Sequence, residues 1–182
     1  VYKKEYLLAG AKFISKYISK TKVGYVLELA TGRGANALYL ARKFPQTKFY
    51  GVDISDAQLS LAKGKAEKVS NYFPKKGDYH DLTNFDNDKF NVIFVVESFC
   101  HSTEKEKVFS EVKRVLKKGG YFIVFDGYLN KAGSKLSDTE KTACAMIEKG
   151  MALESFEPYS LFLEKAKKYF KVVYEEDLST FV

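Results

Sequence analysis

Gly32 and Gly34 sit two residues apart in Thr31-Gly32-Arg33-Gly34, directly after the short apolar run Tyr25 to Ala30. Glycines so placed let a backbone come close to a ligand, and the helix expected after them starts with unpaired N–H groups. Gly32 to Ala37 also fits the G-x-G-x-x-G/A pattern of dinucleotide-binding turns, with Asp53 at about the right distance to hold ribose hydroxyls. Glu28 separates two kinds of ligand. A carboxylate near the carboxyl end of the first strand repels a pyrophosphate and attracts a molecule carrying ammonium and sulfonium groups. Further along, Glu97-Ser98-Phe99-Cys100-His101 brings an acid and an imidazole together. His101 is the candidate base or substrate-orienting group, a task histidine suits. His80, the other histidine, reads as structural.

These residues need a frame, and the chain alternates strand and helix patterns. An opening helix carries Leu7, Ile14 and Ile18 on one stripe, with Tyr6, Phe13 and Tyr17 beside it. After the glycine turn, Ala37, Leu38, Ala41 and Phe44 recur at helical spacing. Phe49 to Asp53 forms a second strand, followed by a helix marked by Leu59, Ala62, Ala66 and Val69. A short third strand is expected just before Gly77. Phe90 to Val96, almost wholly apolar, reads as an interior strand, and Val108, Val112, Val115 and Leu116 mark its helix. Lys117-Lys118-Gly119-Gly120 is expected to end that helix, with glycine as a left-handed cap, before a fifth strand over Tyr121 to Phe125. Such alternation predicts an α/β fold, a doubly wound, mostly parallel sheet with helices on both faces. Residues 1–182 are expected to form a single domain, in which 127–158 is an insertion over the strand ends serving as a substrate-side lid.

From Glu28 to Gly34 the sequence resembles the first motif of class I S-adenosylmethionine-dependent methyltransferases, an acid followed by G-x-G-x-G, with Ala30 in place of the first glycine. Alanine there argues against a positive φ. The similarity continues through Gly51 to Ser55, where the resemblance implies that Asp53 binds the ribose and Ile54 packs on adenine. It includes Gly77-Asp78, whose acid in that family meets the adenine amino group, with Tyr79 beside it. Phe90 to Ile93 and Val115 to Gly120 resemble the family's entries to strands four and five. The resemblance therefore implies S-adenosylmethionine as cofactor and S-adenosylhomocysteine as product. The implied cofactor contacts are Glu28, Ala30, Thr31, Gly32, Gly34, Asn36, Asp53, Ile54, Asp78, Tyr79 and Glu97, with His101 and Glu97 as catalytic candidates. The segment Glu97 to His101 is similar to the E-x-x-C-H of sterol C-methyltransferases and, more loosely, to enzymes acting on quinones, methylated glycines or phosphoethanolamine. Phe99, Tyr128, Phe156 and Tyr159 are candidates to line an acceptor pocket.

Composition narrows the rest. The 182 residues are 46% hydrophobic and 29% charged, which predicts a soluble globular domain with no membrane span. The net charge of +7 rests on 30 basic residues of which only Arg33, Arg42 and Arg114 are arginines. Lysine-rich charge of this kind, and the absence of an N-P-P-[YF] segment after strand four, argue against nucleic acid as partner. Cys100 and Cys144 are too few and too far apart for a disulfide framework or a zinc site, so no metal is expected and a reducing, cytoplasmic setting is. Lys171 to Tyr174 is a candidate sixth strand. The chain reads as a fragment whose final strand is missing, and the exposed sheet edge that this implies favours association into an oligomer. A small-molecule methyltransferase is the leading reading. An RNA or protein methyltransferase, and a non-catalytic or nicotinamide-binding Rossmann-like protein, stay open as alternatives.

Overall fold

The computed structural model describes residues 4–21, 24–131 and 133–179, and these fall into two compact units that meet in sequence at Gly127 and Tyr128. The first unit holds a five-stranded sheet in the order β3-β2-β1-β4-β5, with every neighbouring pair parallel. Its strands are β1 (Tyr25–Leu29), β2 (Lys48–Asp53), β3 (Tyr72–Lys76), β4 (Phe90–Val96) and β5 (Leu116–Phe125). Between and before them lie α1 (Lys4–Ile18), α2 (Ala35–Lys43), α3 (Asp56–Ala66) and α4 (Lys105–Val115). From β1 the chain moves outward through β2 to β3, then returns to β4 on the other side of β1. The reversal point thus lies between β1 and β4, where open α/β sheets bind ligands.

Both central strands are buried, which explains why their sequences read as continuous apolar runs rather than alternating ones. Val26, Phe49, Val92 and Phe94 point into the same cluster as Ala11, Ile14 and Ile18 of α1 and Ala37, Leu40 and Ala41 of α2. The stripe predicted for the opening helix is the one that is buried from Ala11 onward. The side chains of Tyr6 and Leu7 lie outside the described residues. Phe85, Phe90 and Tyr50 meet edge to face, and Phe99, Phe109 and Phe122 form a second aromatic group.

Three sequence expectations are corrected here. The helix before β5 ends at Val115 without a glycine cap, because Leu116 is already extended and pairs with Phe90. Residues 117–120 then bulge opposite Asn91, pairing resumes with Val92 and Tyr121, and Gly119 takes φ +77 inside this bulge. Ala30 has φ +50 despite its Cβ, so the turn after β1 needs the left-handed region even where glycine is missing. Lys171 to Tyr174 forms no strand and its residues are mostly exposed, with no paired edge among the described residues.

The second unit carries α5 (Asp138–Met151) and α6 (Tyr159–Lys167). The side chain of Ser137 accepts from the Glu140 N–H, while Glu140 accepts from the Ser137 N–H at 2.8 Å, a reciprocal cap that starts α5. Leu129 bridges to Pro158, and Tyr128 packs against Tyr159 and Phe162. The outer face of α5 exposes Met146, Ile147 and Met151.

Candidate functional site

In a parallel sheet every βα turn lies on the same edge, and here each strand brings a carboxylate to it. Glu28 is the penultimate residue of β1, Asp53 ends β2, Asp78 follows β3 by two residues, and Glu97 and Asp126 directly follow β4 and β5. A chain with net charge +7 therefore gathers five acids along its carboxyl edge.

Glu28 is only 3% exposed and is held by three donors. Thr31 Oγ1 donates to its Oε2 at 2.5 Å and the Ala37 N–H at 3.3 Å, while Asn36 Nδ2 donates to Oε1 at 3.1 Å. Burial pushes its carboxyl up to about 7, against the pull of these hydrogen bonds, with the Asp53 charge adding to the rise. Gly34 caps α2 with no side chain, so Glu28 reaches over from β1 to occupy the helix's amino end. That end is where a dinucleotide pyrophosphate would sit, and a carboxyl oxygen already takes an N–H there. Thr31 and Asn36, expected from the sequence to contact the cofactor, both hold Glu28.

The turn itself is tied on both sides. Thr31 N–H donates to the Val52 carbonyl, and Gly34 N–H to the Thr31 carbonyl. Gly34 has φ +73, and a Cβ there would lie 2.7 Å from the Tyr72 hydroxyl, so the position admits glycine alone. The Tyr72 hydroxyl is also 2.8 Å from Thr31 Oγ1. Tyr72 is thus a wall of the turn that sequence reasoning did not single out.

Asp53 accepts the Gly32 N–H at 2.7 Å on Oδ2 and the Ser55 N–H at 2.8 Å on Oδ1. A carboxylate offers about four lone-pair sites, so one bond to each oxygen leaves capacity for two hydroxyls. Ile54, the next residue, is 69% exposed, an apolar surface beside that carboxylate with nothing of its own to cover it. These features fit a ribose carrying a planar base.

Asp78 is half exposed. Burial works against its ionisation, but the backbone N–H and ring of His80 outweigh it and hold the carboxyl below its ordinary range. Tyr79 donates to the Ser98 carbonyl at 3.3 Å, and burial pushes its hydroxyl up to about 12. It therefore ties the loop after β3 to the turn after β4.

Glu97 has φ +51, so the residues at or just past the ends of both central strands, Ala30 and Glu97, are non-glycine residues in the left-handed region. Strain of this kind, of order 1–3 kcal/mol each, collects where a site is held in a set geometry. Past Glu97 the chain makes a short 3-10 turn, Phe99–His101. Asp126 Oδ2 accepts the Cys100 N–H at 2.9 Å, and Oδ1 accepts the Gly127 N–H. Burial first, and Asp126 second, push the Cys100 thiol up to about 12, so it is no nucleophile near neutral pH. The His101 ring is exposed and makes no hydrogen bond with the described residues. Phe99, expected to line a pocket, is fully buried between Phe109 and Phe122 and belongs to the core. Among the described residues no cluster of metal-ligating side chains occurs. Asp126 was missed in the sequence; its signal is that it directly follows an apolar strand as Glu97 does.

Comparison with known proteins bears on the family and the fold. A family model described as a methyltransferase domain matches residues 27–124. Sterol methyltransferase-like 3 of Botryococcus braunii is 36% identical over 105 residues, covering 56% of this chain and 26% of that protein. The sterol 24-C-methyltransferase of Saccharomyces cerevisiae is 28% identical over 162 residues, covering 85% of this chain and 41% of that protein. The chain thus spans less than half the length of these curated relatives. Among solved structures, geranyl diphosphate C-methyltransferase from Streptomyces coelicolor A3(2), in complex with Mg2+, geranyl diphosphate and S-adenosyl-L-homocysteine, superposes with a TM-score of 0.76 at 19% identity. That match covers 88% of this chain and 59% of that one and shows the shared fold. With the family model covering more than half of its residues, the glycine turn and all five strands among them in whole or in part, the chain belongs to the methyltransferase domain family.

Proposed function

We propose that the chain binds S-adenosylmethionine at the carboxyl edge of its sheet and transfers the methyl group to a small-molecule acceptor. One observation carries the choice of ligand: the Glu28 carboxyl fills the amino end of α2, so the N–H donors that a pyrophosphate needs are already engaged, and above about pH 7 the carboxylate adds a charge that suits a cation. In this reading the Gly32–Gly34 turn gives close backbone approach, Asp53 accepts ribose hydroxyls, Ile54 supports the adenine ring, and Asp78 accepts from its amino group. Glu97 and His101 stand on the acceptor side. Bound S-adenosylmethionine supplies a methyl group already activated on a sulfonium. The chain's share of the work is then mostly positioning, worth up to ~7–11 kcal/mol in favourable cases. His101, exposed and not engaged by the described residues, is free to orient or deprotonate an acceptor. Curated relatives named for sterols favour an apolar acceptor, and the apolar face of α5 suits residues 127–158 to a substrate-side role.

Parallel calorimetric titrations with S-adenosylmethionine, S-adenosylhomocysteine and NAD test the reading. Binding of the two sulfur compounds and not of NAD is the expected result. Binding of NAD alone would overturn the assignment made from Glu28.

A further inference from the structure

The two loops that flank the proposed ligand are joined by a side-chain relay. Asp78 Oδ1 accepts the His80 backbone N–H at 2.8 Å and lies 2.6 Å from His80 Nδ1. On its far side, His80 Nε2 is 2.8 Å from Ser102 Oγ. A carboxylate against Nδ1 fixes the proton there, which makes Nε2 of the neutral ring an acceptor for the Ser102 hydroxyl. When the ring is protonated Nε2–H donates and Ser102 Oγ accepts, so the link survives in both forms. Ser102 is 1% exposed, its N–H donates to the Phe99 carbonyl, and its own carbonyl accepts Lys105 Nζ at 2.7 Å. The hydroxyl is therefore a fixed point rather than a swinging one. The neighbouring residue, Tyr79, holds the other end of the same turn through the Ser98 carbonyl. Asp78 Oδ2, by contrast, takes no hydrogen bond from the described residues, so the relay turns one oxygen inward and leaves one for a ligand.

We infer that His80 is a positioning residue that couples Asp78 to the turn carrying Glu97, Cys100 and His101, so that a ligand held at Asp78 sets the geometry of the acceptor side. This rests on the proposed function, in which Asp78 meets the adenine. A relay that only stiffens the fold would leave the turn indifferent to ligand; a coupling relay makes His101 report on it.

The chain has only two histidines, so long-range proton–nitrogen spectra of the 15N-labelled protein show two imidazoles, and His80→Asn assigns them. The free protein is expected to show His80 as one tautomer protonated at Nδ1, and Ser102→Ala to shift its Nε2 resonance. Titration with S-adenosylhomocysteine is expected to move both rings in the parent chain. In Ser102→Ala the His101 response falls by at least half while affinity weakens by no more than about tenfold, the worth of one neutral hydrogen bond. His80→Asn keeps a donor for Asp78 but falls short of Ser102, and is expected to silence His101 likewise. Circular dichroism confirms that each variant is folded. A full His101 response in both variants, or a His80 ring exchanging between tautomers, would overturn the coupling and leave the proposed function standing. Failure of the parent chain to bind S-adenosylhomocysteine would overturn the proposed function and the coupling with it.

Discussion

Replacing Glu28 by glutamine removes one charge and very little else. The glutamine oxygen can take the place of Oε2, keeping the bonds from Thr31 and Ala37, while its amide faces Asn36, which turns to offer its own oxygen. What changes is the titration. Glu28 is raised from 4.5 to about 7, mainly by burial. A shift of that size, at about 1.4 kcal/mol for each pH unit, amounts to about 3 kcal/mol. The sign follows from proton counting. Below pH 4.5 both folded and unfolded chains hold the proton, and Glu28 costs nothing. Between pH 4.5 and about 7 the unfolded chain has released it and the folded chain has not, so stability falls as pH rises; above that window the full cost remains. Carboxyls held low in the fold, such as Glu140, brought to about 2 by Lys131 and the Ser137 cap, act in the opposite sense and at lower pH, and are common to both proteins. The stability difference between Glu28→Gln and the parent chain should therefore grow from near zero at pH 4.5 to about 3 kcal/mol at pH 8. Urea unfolding of both proteins at several pH values measures it. A difference that stays constant over that range would mean that Glu28 is ionised in the folded chain throughout, and the account of its burial would be wrong.

Two further changes probe the same edge. Asp53→Ala removes the acceptor for Gly32 and Ser55 along with the proposed ribose contact, and should weaken S-adenosylmethionine binding roughly 10- to 150-fold, the value of a charge-assisted hydrogen bond; an unchanged dissociation constant would sink the assignment. Gly34→Ala should destabilise the fold by more than Gly32→Ala in thermal melts. Both positions have positive φ, costing ~1–2 kcal/mol for alanine, but only at Gly34 does the new methyl meet the Tyr72 hydroxyl.

What could be read from the sequence was what depends on local pattern. Apolar runs mark β1, β2, β4 and the end of β5, and Gly32 and Gly34 mark the turn, because burial and positive φ leave marks on single segments; β3, an edge strand ending in two lysines, leaves little mark. The departures come from partners distant in sequence. Lys117 to Gly120 looks like a helix terminus until Leu116 is seen to pair with Phe90, which converts the stretch into a bulge. Ala30 goes left-handed because the turn on either side is pinned, with Thr31 bonded to Val52 and Gly32 to Asp53. The polar first turn of α5 carries no apolar mark, and it is the reciprocal cap between Ser137 and Glu140 that begins the helix at Asp138. His80 read as structural because nothing in its neighbourhood points to Ser102, 22 positions away. Glu28 was legible as an acid in the right place, but the three donors that bind it were not.

The same geometry explains where the acids of this edge lie. A parallel sheet with right-handed crossovers starts each following helix at the carboxyl edge, so partial positive charges accumulate there. Glu28 answers the amino end of α2, Ser55 and Asp56 that of α3, and Asp126 the N–H of Cys100 in the 3-10 turn. At the opposite edge, Lys48, Lys89 and Lys117 lie over the rings of Tyr25 and Tyr50, 5.3 to 5.9 Å from their centres. The amino ends of α2 and α3 are already engaged by side chains of the protein itself. A substitution that frees the amino end of α2 to accept an anion must first remove Glu28 from beneath it.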